Sequence, residues 1–64
     1  MGKIKKLRYL REQIMKSSEE LEVLTKKIYE SEEIREIMVL SNLSNNIAKK
    51  ISKLNMKIGI IFKF

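Results

Sequence analysis

The chain has no cysteine, histidine, proline or tryptophan, and its sequence contains no aspartate. Each absence removes chemistry. Without cysteine there is no disulfide framework, thiol nucleophile or thiolate metal site. Without histidine there is no Ser-His-Asp arrangement and no ordinary zinc site. Without proline, and with only two glycines, the usual punctuation between elements is missing. Long apolar runs are missing too, since none approaches the roughly 18 to 20 residues of a membrane-spanning helix. What remains is a chain of 64 residues, short enough for a single helical domain over 1–64. Its hydrophobic content of 44% is too high for simple disorder.

The start, Met1-Gly2-Lys3-Ile4-Lys5-Lys6, is basic with no apolar core behind it, so it does not read as a signal peptide. Lys6 stands where a myristoylation site wants Ser or Thr. These features point to a cytoplasmic location.

Apolar residues recur in heptads. In the first half the seam is Leu7, Leu10, Ile14, Leu21, Leu24 and Ile28, with Ser17 in the one gap. In the second it is Ile37, Leu40, Ile47, Ile51 and Leu54, reaching Ile58, with Ser44 in the gap. Leu, Lys, Glu, Met and Arg fill the intervening positions and favour helix. The two heptads are out of phase. The first, continued, would use positions 35 and 42, whereas the second uses 37 and 44. Coiled coils absorb insertions of about three or four residues, not two, so the chain must break between Ile28 and Ile37. Ser31 followed by Glu32 and Glu33 reads as an N-cap with acids in the first turn, where they meet the positive helix end.

The expected fold is all-α. It is an antiparallel, coiled-coil-like two-helix hairpin, with helices over about 3–29 and 33–57, a turn at about 30–32, and an apolar tail over 58–64 that Gly59 detaches from the helix. Antiparallel pairing of the seams matches Leu7 with Leu54, Leu10 with Ile51, Ile14 with Ile47, Ser17 with Ser44, Leu21 with Leu40 and Leu24 with Ile37. The residue numbers of each pair total 61, although a register shifted by one heptad also matches some layers and separates the two serines. Two other breaks are open on sequence grounds: an N-cap at Ser17-Ser18-Glu19-Glu20, and the poor helix former Ser41-Asn42-Leu43-Ser44-Asn45-Asn46. One hairpin of this size has little core, and small helical chains commonly associate. Dimerisation to a four-helix bundle, or docking onto another helical protein, is therefore expected.

Charge is segregated. Residues 1–16 carry six basic side chains against Glu12, a net +5. Residues 17–46 carry three against seven Glu, a net −4, and residues 47–64 carry five Lys and no acid, again +5. A hairpin gathers both basic ends at one pole. Lys49, Lys53 and Lys57 form an i,i+4 row without an acid between them. With Lys50, Lys3, Lys5, Lys6 and Arg8 they make a candidate basic patch for phosphates, so nucleic acid is a second class of partner. Pairs such as Glu12–Lys16 and Glu22–Lys26 fit the alternative of solvated faces. Residues 47–64 also suit contact with an anionic membrane surface through the tail.

No catalytic, cofactor-binding or metal site is expected. The candidate acids are Glu19, Glu20 and Glu22, and Glu32, Glu33 and Glu36. Glu32 and Glu36 share a helix face, but a carboxylate site draws on facing helices, often with histidine. The expected function is that of a non-enzymatic, homo-oligomeric interaction or regulatory module.

Residues 21–51 resemble the helical-hairpin aspartyl-phosphate phosphatases that regulate sporulation. In that family an apolar-x-x-Leu-Arg pattern on the first helix precedes Ser-Gln-x-Leu-Asp on the second. Leu21-Glu22-Val23-Leu24-Thr25 takes the first place. Ser41-Asn42-Leu43-Ser44-Asn45, or Ser44-Asn45-Asn46-Ile47-Ala48, takes the second. Thr25 replaces the Arg, and Asn45 or Ala48 the Asp. The resemblance thus implies a hairpin that binds a response regulator, without the acid its chemistry needs. Residues 47–55 are also similar to the second helix of a basic hairpin protein of the large ribosomal subunit.

Overall fold

A computed structural model describes residues 2–63. Two helices account for nearly all of them: α1, Gly2–Glu30, and α2, Ile34–Lys63. They pack against each other along their length as a hairpin, a rod of 49 × 15 × 11 Å. That length is one helix of about 30 residues at about 1.5 Å each, so the chain doubles back once.

The turn is made by backbone bonds. The Ser31 N–H donates to the Lys27 carbonyl at 3.0 Å and closes α1. The Ile37 N–H donates to the Glu33 carbonyl at 3.0 Å and opens α2. Glu33 therefore stands at the cap position, and the turn is 31–33 rather than 30–32. The reading of Ser31 as N-cap is corrected accordingly. Its hydroxyl accepts from the Glu33 N–H at 3.3 Å, a short-range side-chain turn that bends the chain before the helix begins. Only Glu36 lies in the first turn of α2.

The tail is corrected as well. α2 runs through Gly59 to Lys63, and no glycine takes a left-handed backbone. Phe64, the last residue of that tail, lies outside the described residues. A helical Gly59 costs about 1 kcal/mol relative to alanine. Continuing the helix keeps Ile58 and Ile61 on the seam, where both pack against Leu10, Ile14 and Leu54. Covering one isoleucine offsets that cost. The same reasoning removes the two rival breaks, since α1 passes unbroken through Ser17-Ser18 and α2 through Ser41–Asn46. Ser17, at 4% exposure, is the most buried polar residue, held there by the seam on either side.

The pairing register differs from the expected one. Leu10 and Ile14 cluster with Leu54, and Ile51, Ile58 and Ile61 pack around them. Lys6, Tyr9 and Leu10 likewise share a groove with Lys57, Ile60 and Ile61. Facing residues therefore total about 68, a shift of one heptad. That register places Ser17 beside Ile51 and Ser44 beside Leu24, so the two serines do not share a layer. A heptad seam repeats every seven residues, so sliding it by one heptad still puts apolar on apolar. Seam pattern alone therefore does not choose between the two registers.

Candidate functional site

Every seam residue is buried or half-buried: Leu10, Ile14, Leu40 and Leu54 are buried, and Leu7, Leu21, Leu24, Ile28, Ile37, Ile47 and Ile51 are half-buried. Ile61 joins them, a position the expected tail had hidden. The Ser44 hydroxyl is fully buried without a hydrogen-bond partner.

The basic residues Lys3, Lys5, Lys6, Arg8, Lys49, Lys50, Lys53 and Lys57 are all exposed, in the half of the rod away from the turn. They surround that half and do not share one face. Lys6 and Lys57 line a groove with Tyr9, Leu10, Ile60 and Ile61. Arg8 lines a different groove, with Arg11, Met15, Asn55, Ile58 and Phe62. At the turn, Glu30, Glu32 and Glu36 line an open trough with Ser31 and Lys27. Glu32 lies in the turn, outside the helix that carries Glu36. Among the described residues no group of three or more acidic side chains is placed to hold a metal. The ion pair among the described residues is Lys16 Nζ to Glu12 Oε1 at 3.7 Å, between exposed side chains. Glu22 and Lys26 do not close the matching pair.

The segments that carry the phosphatase resemblance fall on facing turns of the two helices. The Thr25 hydroxyl donates to the Leu21 carbonyl at 2.8 Å and so ties back to its own helix. Asn45, in the place of the motif's Asp, is exposed.

Helix periodicity sorts the remaining exposed residues onto two long sides of the rod. One side carries nine charged residues: Lys6, Lys16, Glu20, Lys27 and Glu30 on α1, and Glu36, Lys50, Lys53 and Lys57 on α2. The other carries Arg8, Arg11 and Glu22 on α1, and none on α2. The α2 stripe of this neutral side is Ser41, Asn45, Ala48, Ser52, Asn55 and Gly59, with Ile34 and Met38 before it and Phe62 after it. Such a stripe is readable from the sequence only once a hairpin is assumed, because its members are polar or small and give no hydrophobic period. Ile4, Met15 and Tyr29 complete the neutral side from α1, and all six of its large apolar side chains are more than half exposed.

No helix among the described residues is long and apolar enough to cross a membrane. No protein-family model matches the chain, and no curated protein and no solved structure matches it significantly.

Proposed function

We propose that this chain is a non-enzymatic helical interaction module that works as a homodimer, two hairpins forming a four-helix bundle. The observation that carries this reading is how little the hairpin covers by itself. Among the described residues no large side chain is fully enclosed, only four hydrophobic residues are buried, and twelve large hydrophobic ones are exposed. A chain of this size folding alone lacks the core that normally offsets conformational entropy. Association supplies the missing partner surface. The grooves along the rod are open troughs, suited to receiving side chains of another helix and unlike the concave pockets that enclose small substrates.

Sedimentation equilibrium tests the reading. The expected result is a species of twice 7.6 kDa at micromolar concentration, with a melting temperature that rises with protein concentration. A cooperatively melting species of 7.6 kDa whose midpoint does not depend on concentration overturns it.

A further inference from the structure

We propose that the neutral side of the rod is the face on which a second copy of this chain packs, antiparallel, about a two-fold axis near Ser52 and the middle of α1. This rests on the dimer reading and adds which face is used and in which direction.

The first argument is desolvation. Burying a charge without a partner is costly, so a packing face sheds charge. In a chain that is 34% charged, α2 presents nine successive face positions from Ile34 to Phe62 without one charged residue. Burying the other side would desolvate nine charged groups.

The second argument is that the three charges left on the neutral side answer one another under this symmetry. A two-fold axis across the rod lays α1 on the α1 of the partner, with facing residue numbers totalling about 33. Arg11 then meets the partner's Glu22, and Glu22 the partner's Arg11, with Arg8 one turn away. Within one hairpin neither Arg11 nor Glu22 makes an ion pair among the described residues. The same axis lays α2 on the α2 of the partner, with numbers totalling about 103. Ser41 then meets the partner's Phe62, Ala48 the partner's Asn55, and Ser52 lies at the axis. Phe62, at 74% exposure, is among the most exposed large hydrophobic residues of the hairpin. Small side chains fall at the axis, where the backbones come nearest.

Direction follows from the poles. A parallel pair would bring together two ends that each gather both +5 segments, whereas the antiparallel pair sets each basic end beside the acidic turn of the other copy. The size also fits. A face of 49 by 15 Å offers roughly 700 Å² per copy, close to the ~800 Å² per partner of a standard stable interface.

The test is charge reversal combined with cross-linking. Arg11→Glu and Glu22→Arg, each alone, are expected to weaken the dimer at least tenfold, and the double variant to restore it. Both residues are exposed, so circular dichroism should show each variant as helical as the parent. Ser52→Cys, the sole thiol in the chain, should be joined to its mate by a short bis-maleimide, while Asn46→Cys on the charged side should not. A wild-type dimer whose mass is unmoved by either reversal, or one joined through Asn46→Cys, overturns this face and leaves the dimer standing. A wild-type chain that stays monomeric overturns both readings. One that is monomeric and binds phosphatidylglycerol vesicles gives the face to lipid and likewise overturns the proposal.

Discussion

Ser44 is the residue that fits its place least well. Its hydroxyl lies fully buried on the seam with no partner. An unsatisfied buried hydroxyl costs roughly 1 to 3 kcal/mol, and alanine is also the better helix former. Ser44→Ala should therefore stabilise the hairpin by about 1 kcal/mol, read as a higher urea midpoint with an unchanged slope; a lower midpoint would show that the hydroxyl is bonded after all. Ser17 occupies the corresponding gap of α1 and is the most enclosed of the described residues. The two serines thin the seam at two separate heights of the rod. The sequence shows both gaps plainly, but pairing by heptad alone leaves the register open by one heptad and so does not decide whether they share a layer.

At the scale of elements, both helices were legible because their apolar residues keep strict heptad spacing over several turns. Their ends were less so. Ser followed by two acids is the common N-cap pattern and points to Ser31, yet Glu33 begins α2 and Ser31 bends the approach to it. Glycine so often ends helices that Gly59 reads as a stop. Local preference is outweighed by the seam two residues further on, where Ile61 packs. Gly59 is an ordinary helical residue, and a Cβ built there meets nothing within 4 Å. Gly59→Ala should accordingly stabilise α2 by about 0.5 to 1 kcal/mol and raise helicity by circular dichroism. A loss of stability would mean that α2 does not run through this point.

For the whole molecule, the packing is uneven. Leu10, Ile14 and Leu54, with Ile51, Ile58 and Ile61 around them, form the cluster of buried side chains among the described residues, and it lies in the half remote from the turn. Near the turn Leu24, Ile28 and Ile37 are only half-buried. Amide hydrogen exchange should follow this pattern, slowest over about 10–17 and 51–58 and faster over 24–37, because local opening is easiest where fewest apolar contacts are lost. Fastest exchange at the open end instead would contradict the placement of the core. The neutral side belongs to this scale too, and it was the part least legible in advance. No single residue on it is unusual; what distinguishes it is charge missing from matched positions on two helices, which appears only when the hairpin is assembled.

The turn at 31–33 has one more consequence. Nothing in Glu30-Ser31-Glu32-Glu33 forbids helix, so the chain has a latent way to straighten into one long rod and trade halves with a neighbour, a common route to exchanged dimers. The nine-residue step from Ile28 to Ile37 opposes it: wound as continuous helix it would rotate the second stripe about 180° from the first. A straightened chain would carry its two greasy halves on opposite flanks, where no single companion can cover both. The misfit between the two halves is thus a lock that keeps the fold within one molecule.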